Sequence, residues 1–159
     1  MKLTAHEEYG FRCLVQIGKC GEGGSLTIPE ISEAEGISPS YAAKLLRMLR
    51  RGGFITSARG KAGGYSLARP ANRVIVGEVL AALGGKMFDE DFCEIHAGQA
   101  DVCAHTVDCS IRTLWHRVQV ALDQVLGNTT LQDLLRDERQ TTGWLATFPP
   151  KISSSPRPE

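Results

Sequence analysis

Apolar residues recur at helical spacing along much of the chain, and capping residues mark where the helices begin. A capping box at residues 4–7 opens a helix that ends near Lys19, and a second box at residues 27–30 opens a shorter helix that ends at Gly36. Both segments therefore predict helices with one face toward a core. The residues expected on those faces are Phe11, Leu14, Val15 and Ile17, followed by Ile28, Ile31 and Ala34.

A third helix is predicted from Ser38-Pro39 to the glycine pair at 52–53. Its apolar positions are Tyr41, Leu45, Leu46 and Leu49. Two short helices joined by a tight turn form a helix-turn-helix, whose second helix usually enters the major groove of DNA. Residues 54–58 and 65–67 have the composition of short strands, and glycines in the turn between them allow close approach to a backbone. This hairpin predicts a wing suited to a minor groove or a phosphate track.

Two further helices are predicted, from about Val76 to Leu83 and from Ser110 to Leu126, before a last short helix that begins at Thr130. The long helix carries one apolar stripe, formed by Ile111, Leu114, Trp115, Val118, Ala121, Leu122 and Val125. A stripe of this kind is most often part of a protein core. Here it follows a module that is already complete, so dimerisation through the stripe is the favoured interpretation.

These elements predict a mainly α fold: a winged helix-turn-helix DNA-binding domain with a two-stranded wing, followed by a long dimerisation helix. The predicted divisions are the DNA-binding domain at 1–85, a cysteine-containing loop at 86–109, the dimerisation helix with a short C-terminal helix at 110–138, and a disordered tail at 139–159.

The net charge is zero, but the charges are unevenly distributed. Residues 36–73 contain eight basic residues and no acidic one, whereas residues 74–108 contain seven acidic residues and one lysine. Such a basic block is expected to bind a polyanion, and the competing interpretation is an ordinary solvated surface. The side chains expected to reach phosphates and base edges are Ser38, Ser40, Tyr41, Lys44 and Arg47 in the third helix, with Arg59 and Lys61 in the wing.

Several classes of function find no support in the sequence. There is no N-terminal signal pattern and no apolar run long enough to span a membrane, so a cytoplasmic protein is expected. The cysteines number five, and an odd count argues against a closed disulfide framework. No paired carboxylates, nucleophile–base pair or nucleotide-binding fingerprint is evident, so we do not expect an enzyme.

Three of the five cysteines lie within seventeen residues, in the arrangement Cys93-x9-Cys103-x5-Cys109. They occupy a polar segment without helix or strand periodicity. Three cysteines in such a segment are not explained as residues of a hydrophobic core. Thiolates in such a segment are preferred ligands for zinc and for iron–sulfur centres. The other two, Cys13 and Cys20, are expected to be a small buried residue and a helix-end residue of the first helix.

Three stretches resemble bacterial winged-helix regulators of the IscR/NsrR type: MKLTAHEEYGFRCL, ISPSYAAKLLRMLRRGGFITSARGKAGGYSLARP, and the three cysteines followed by SIRTLW. The resemblance covers roughly residues 1–137. It implies a homodimer that binds palindromic promoter DNA, with a [2Fe–2S] or [4Fe–4S] cluster on three cysteines and one other ligand. By position, Cys93, Cys103 and Cys109 match the cysteine ligands. The residues that match the family's DNA contacts are Ser40, Tyr41, Lys44 and Arg59, with Gly60 and Lys61 at the wing tip.

The resemblance leaves the fourth ligand open. IscR itself uses a histidine three residues after the last cysteine, but this chain has Arg112 there, which cannot bind a metal. Other members use an acidic residue near the start of the first helix, donated by the partner subunit, and Glu8 is the candidate at this position. The first two cysteines are also further apart than in IscR, which leaves the cluster type open. The remaining ligand candidates are Glu7, His96, His105 and His116, and with zinc His96 or His105 would complete a Cys3His set.

The combined hypothesis is a transcription regulator whose promoter binding is controlled by an iron–sulfur cluster that senses redox state, nitric oxide or iron–sulfur supply. Two other interpretations stay open. In one, the three cysteines form a metal-free thiol or disulfide sensor. In the other, they hold structural zinc in a protein-interaction adaptor.

Overall fold

A computed structural model of the chain describes residues 3–58, 63–86, 88, 92–97, 103, 105 and 109–136. The described residues form, in chain order, α1 (Ala5–Lys19), α2 (Ile28–Glu35), α3 (Pro39–Arg51), β1 (Ile55–Ala58), β2 (Gly64–Leu67), α4 (Val76–Leu83), α5 (Phe92–Ile95), α6 (Ser110–Gly127) and α7 (Leu131–Leu134). A short 3-10 turn at Ala71–Arg73 precedes α4. The predicted tail at 139–159 and the wing tip at 59–62 lie outside the described residues.

The first two helices begin at the predicted capping boxes. In α1, the Thr4 hydroxyl accepts from the Glu7 N–H at 3.3 Å, and the Glu7 carboxylate accepts from the Thr4 N–H at 2.6 Å. In α2, Glu30 accepts from the Thr27 N–H at 2.7 Å, and its bonds to Thr27 lower the pKa of the Glu30 carboxyl. The helix ends at Gly36, whose φ of 63° is left-handed, a conformation that glycine adopts without steric cost. Local sequence therefore decides where α1 and α2 begin and where α2 ends.

The core lies where α1, α2, α3 and α4 pack together. Its fully buried side chains are Cys13, Leu14, Ile31, Leu45, Leu46, Leu49 and Val74. Helix α1 lies close to α4 at Gly10, where an added Cβ would lie 2.5 Å from a Leu83 methyl carbon and would force that side chain to move. One predicted core position of α2 was wrong: Ala34 is exposed, and Ser32 is buried in addition to Ile31. The chain turns back after Gly36, and Ser32 donates to the Ile37 carbonyl, which satisfies the buried hydroxyl.

The wing strands pair antiparallel, with Ile55 opposite Leu67 and Ala58 opposite Gly64. A single bridge adds Leu26 to the other edge of β2, where it exchanges backbone bonds of 3.0 and 2.7 Å with Tyr65. The sequence did not predict this bridge, because one residue has no periodicity. The bridge ties the base of the wing to the chain that leads into α2.

The C-terminal part of the described chain returns to the core. Backbone bonds join Val76 N–H to the Thr129 carbonyl at 2.9 Å and Leu131 N–H to the Val74 carbonyl at 2.8 Å. Leu131 is only 1% exposed and packs in the same cluster as the side chains of α1 and α3. The segment around α7 therefore contributes to the core of the helix-turn-helix unit. The division of the chain into domains stays a prediction.

Cys13 and Cys20 lie where the sequence predicted: the first is buried in α1, and the second caps the end of that helix. Burial raises the pKa of the Cys13 thiol from its ordinary 9.0 to about 12, and the nearby Glu35 carboxylate adds to the rise. Cys13 is thus a protonated core residue and no candidate for a metal ligand.

We expect Cys13 to make stability fall at alkaline pH. The unfolded thiol releases its proton near its ordinary pKa of 9.0, whereas the folded thiol keeps it to about pH 12. The stability that the buried, protonated thiol contributes is fully present below pH 9.0 and is lost as the pH rises from 9.0 to about 12. Urea unfolding of the wild type and of Cys13→Ala, at about pH 8 and about pH 10.5, should show a smaller alkaline loss in the variant. An equal alkaline loss in the free energy of unfolding of the two proteins would contradict this role of Cys13.

Candidate nucleic-acid interface and cysteine segment

One face of α3 is exposed and carries three of the predicted DNA-binding side chains. Ser40, Lys44 and Arg47 follow one another at helical spacing, and all three are exposed. The opposite face buries Ala42, Leu45, Leu46 and Leu49 against the core. The packing of this apolar face decides which side of α3 meets solvent. We call the three exposed residues the α3 surface.

The start of α3 has the chemistry of an anion-binding helix end. Ser38 is the N-cap, and its hydroxyl accepts from the Tyr41 N–H at 3.3 Å and lies 3.2 Å from the Ser40 hydroxyl. Pro39 occupies the first turn, and that turn contains no acidic residue. Because N–H groups and the helix dipole favour negative charge at such an end, phosphate is a suitable partner for it.

Tyr41 differs from the other predicted contacts because it is half-buried. Its ring meets His6 edge-on, with centroids 5.5 Å apart, and Tyr9 edge-on at 6.1 Å. Both partners lie in α1. Tyr41 therefore also anchors the start of α3 to α1, a role that the sequence did not indicate.

The predicted wing contacts Arg59, Gly60 and Lys61 lie outside the described residues. At the base of the wing, Arg50 donates to the Ser57 hydroxyl at 3.3 Å and so joins α3 to β1. Arg69 is engaged differently, since it pairs with a Glu78 oxygen at 2.6 Å. Two residues of the basic block, Arg50 and Arg69, thus bond to other elements of the fold.

The described residues of the cysteine segment (residues 86–109) include several that contact α6. Cys109 is the N-cap of this helix, and its sulfur accepts from the Arg112 N–H at 3.3 Å. Cys93 lies in α5, a single turn that the sequence did not predict. The turn is supported by aromatic contacts, because the Phe92 ring stacks on His96 at 4.2 Å and meets Phe88 at 5.0 Å. These three ring-bearing residues follow one another four positions apart, the spacing of one helical face, and this is a signal in the sequence that could have indicated the turn.

All three cysteines of the segment, Cys93, Cys103 and Cys109, are half-buried free thiols. Their chemistry fits a soft metal or an iron–sulfur cluster, for which thiolate is the preferred ligand. Among the residues that the structure describes, however, no three Cys, His, Asp or Glu side chains are grouped so that they could hold a metal ion. The described part of the chain thus supplies suitable thiol donors without three of them grouped around one point.

The candidate fourth ligand Glu8 is exposed on α1 and already has a partner. Its carboxylate oxygen accepts from both Nε and Nη2 of Arg12, each at 2.8 Å. This pair raises the pKa of the Arg12 guanidinium, with the hydrogen bond as the main cause. The neighbouring candidate Glu7 is occupied by its capping bond to Thr4. A metal would therefore compete with Arg12 for Glu8.

The three candidate histidines occupy different settings. His96 donates from Nδ1 to the Phe92 carbonyl at 2.7 Å, which leaves only its other ring nitrogen for a metal. His105 is exposed, and its carbonyl accepts from the Arg112 guanidinium at 3.3 Å. His116 is exposed on α6, with its ring at the edge of Phe88. No described contact joins any of them to a cysteine sulfur.

The helix-turn-helix with its hairpin wing defines a winged-helix DNA-binding protein, and comparison with known proteins agrees. The family profile of Rrf2, described as an iron-dependent transcriptional regulator, matches residues 3–137. The chain belongs to the Rrf2 family, and it is a DNA-binding transcription regulator of that family. The predicted winged-helix fold and the resemblance to IscR-type regulators are both confirmed.

Two curated relatives illustrate the similarity. Protein rrf2 of Nitratidesulfovibrio vulgaris is 37% identical over 138 residues, which cover 86% of this chain and 89% of the relative. The HTH-type transcriptional regulator IscR of Photobacterium profundum is 36% identical over 137 residues, covering 86% of this chain and 77% of the relative.

Two solved structures have a similar fold. CymR, the global cysteine regulator of B. subtilis, superposes with a TM-score of 0.69 and 26% identity, covering 85% of this chain and 96% of CymR. T. potens IscR superposes with a TM-score of 0.69 and 26% identity, covering 89% of this chain and 90% of IscR. No helix among the described residues is long and apolar enough to cross a lipid bilayer.

Proposed function

We propose that this chain forms a homodimer that binds palindromic promoter DNA through α3 and the wing, and that an iron–sulfur cluster on the cysteine segment controls this binding. The observation that carries the proposal is the combination of an exposed basic α3 surface with three free thiols within one segment of an Rrf2-family chain. The DNA contacts are Ser38, Ser40, Tyr41, Lys44 and Arg47 in and before α3, with Arg59, Gly60 and Lys61 at the wing tip.

The exposed side of α6 supports the homodimer. Of the apolar stripe, Ile111 is 62% exposed, Leu114 52%, and Val125 58%. A row of large apolar side chains in water is typical of an interaction surface, and a helix that follows the DNA-reading unit suits pairing of two copies. Two α3 helices related by a two-fold axis would then read two half-sites.

The proposed cluster ligands are Cys93, Cys103, Cys109 and the Glu8 carboxylate of the partner subunit. A bound [2Fe–2S] or [4Fe–4S] cluster would supply a centre that reacts with oxidants and nitric oxide, and a carboxylate ligand is harder than a thiolate and more easily displaced. The chain's own contribution is Arg12, which holds Glu8 by an ion pair at 2.8 Å when no metal competes. Glu8 thus has two alternative partners, as a ligand-biased two-state element requires.

The cluster is tested by the visible spectrum of anaerobically purified protein, together with iron and sulfide assays. Absorbance between roughly 320 and 460 nm is expected for cysteine-ligated iron–sulfur centres. Cys103→Ala should lose the absorbance and the iron, whereas Cys20→Ala, which changes an exposed cysteine outside the segment, should keep both. Colourless wild-type protein, isolated without oxygen, would contradict this part of the proposal.

A second candidate function is a metal-free thiol sensor. It is favoured by the three free thiols, which form no metal-binding group among the described residues, and by the similarity to CymR, the global cysteine regulator of B. subtilis. Colourless, metal-free protein whose DNA affinity changes with reductant, and whose response is lost in Cys103→Ala, would support this candidate. Stoichiometric zinc without specific DNA binding would instead indicate the interaction adaptor.

The α3 surface provides a test of DNA binding. Lys44→Ala and Arg47→Ala should each weaken operator binding by about 1–3 kcal/mol if the side chain contacts a base edge. If the side chain contacts only phosphate, its replacement should weaken binding to all DNA sequences by a similar amount and make the affinity depend less steeply on salt concentration. Lys19→Ala, an exposed lysine at the end of α1, is the matched control. Operator affinity is measured by fluorescence anisotropy. Unchanged affinity in both α3 variants would contradict the assignment of the α3 surface to DNA binding.

A further inference from the structure

Gln119, in the middle of α6, is a buried polar residue with both ends of its amide bonded. It is only 8% exposed. Its oxygen accepts from the Phe88 N–H at 3.1 Å, and its Nε2 donates to an Asp123 oxygen at 2.8 Å. Because an ionised carboxylate can only accept, Asp123 fixes which way the amide points and presents the oxygen to Phe88. The bond to Phe88 spans 31 positions of sequence, so it fixes tertiary structure rather than helix geometry.

Gln119 belongs to a row of side chains that hold the cysteine segment to α6. Arg112, His116 and Gln119 follow one another at helical spacing, and we call them the polar stripe. Arg112 donates from its backbone to the Cys109 sulfur and from its guanidinium to the His105 carbonyl. The His116 ring meets the Phe88 ring with centroids 6.4 Å apart. Arg112 therefore contacts Cys109 and His105, whereas His116 and Gln119 both contact Phe88, one through the ring and the other through the backbone.

Phe88 connects this attachment to a cysteine. Its ring packs against Phe92 at 5.0 Å, and Phe92 is the first residue of α5, the turn that carries Cys93. A continuous path of contacts thus runs from Gln119 through Phe88 and Phe92 to the residue next to Cys93. Leu114 of the apolar stripe lies five residues before Gln119, hence on roughly the opposite side of the helix, and is exposed to solvent.

We propose that Gln119 is a positioning residue that fixes the Cys93-bearing turn to α6, so that the cysteine segment and the dimerisation helix move as one unit. The inference rests on the proposed function for the roles of the two faces, but the attachment itself concerns the metal-free chain. A change at the cysteines is then transmitted to the helix that pairs the two subunits. Loss of the attachment leaves Cys93 free to move independently of α6.

The test follows the Phe88 amide by hydrogen exchange in full-length, metal-free protein, together with the rate at which iodoacetamide modifies Cys93. In Gln119→Leu the Phe88 N–H loses its acceptor, and both rates should rise about tenfold, the equivalent of one hydrogen bond. Gln124→Leu, the same change at an exposed position of α6, should leave both rates unchanged. Unchanged rates in a folded Gln119→Leu protein would overturn the proposal.

A swapped pair separates positioning from general loss of packing. Gln119→Glu alone keeps the acceptor for Phe88 but places two carboxylates against each other, so the Phe88 amide should exchange faster. Combined with Asp123→Asn, donor and acceptor are exchanged across the pair, and the slow exchange should return. If Gln119→Leu does not fold, these two variants decide the question, and absence of rescue overturns the proposal.

A final measurement keeps the two proposals distinguishable. After anaerobic reconstitution with iron and sulfide, Gln119→Leu should lose its visible absorbance in air several times faster than Gln124→Leu. If the wild type takes up no iron, the cluster proposal fails while the exchange and alkylation rates still decide the role of Gln119. If the protein takes up iron and the variant retains it as the control does, the proposed coupling to the cysteines is overturned.

Discussion

Replacing Leu114 with glutamate is expected to leave the protein monomeric and to weaken binding to a palindromic operator about a hundredfold or more, because two linked half-site contacts become one. Leu114 lies in the apolar stripe of α6 and is 52% exposed in the single chain. A carboxylate at the centre of an apolar interface loses its hydration without gaining a partner, which opposes association strongly. Sedimentation equilibrium measures the oligomeric state, and fluorescence anisotropy measures the operator affinity.

The control for this variant lies on the same helix. Val120 is 43% exposed but lies away from the apolar stripe, so Val120→Glu should remain dimeric with nearly unchanged affinity. Binding to a DNA fragment with one half-site should be equal in the wild type and in Leu114→Glu, because α3 is unaltered. A dimeric Leu114→Glu protein, or a wild type that is monomeric at micromolar concentration, would show that the stripe has another role.

Leu131→Ala is expected to destabilise the protein by about 2–5 kcal/mol, the range typical of emptying a buried leucine site. Leu131 is 1% exposed, and its N–H is bonded to the Val74 carbonyl. The side chain lies in one cluster with residues of α1 and α3, so its loss should be felt throughout the helix-turn-helix unit. The free energy of unfolding is measured from urea titrations followed by circular dichroism.

Leu134→Ala is the matched control, because Leu134 belongs to the same short helix and is 42% exposed. It should cost much less, since little apolar surface is removed from water on folding at this site. If the segment around α7 were a separate appendage, the two variants would have similar and small effects. A single cooperative transition that shifts only in Leu131→Ala would place this segment in the main core.

The local elements of this protein were predictable from the sequence, because their signals lie within a few residues of each other. The capping boxes at Thr4 and Thr27 marked the starts of α1 and α2, and Gly36 marked the end of α2. The bounds of α4 matched the predicted range, and α6 began at the predicted Ser110 and ended one residue beyond the predicted Leu126. The exposed face of α3 followed from the spacing of its apolar residues, so Ser40, Lys44 and Arg47 lie on one exposed surface. Their contacts with DNA stay a prediction.

The sequence indicated only some features of the cysteine site. The spacing of Cys93, Cys103 and Cys109 indicated soft-ligand chemistry, and all three are free thiols in the folded chain. The ion pair of Glu8 with Arg12, one helical turn along α1, was not predicted, although the i,i+4 spacing of the two residues is a local signal for it. Binding of a metal by Glu8 stays a prediction.

Apart from α5, sequence alone determined where the helices begin and end, most of the apolar face of each, and which family the chain resembles, since each of these follows from short-range chemistry or a local motif. Tertiary structure decided the bridge of Leu26 to Tyr65, the burial of Leu131, and the attachment of Phe88 to Gln119. These contacts join residues far apart in the chain, and each depends on the packing of elements that must first be in place. Long-range pairing of this kind has no periodic or local signal, so only the folded chain reveals it.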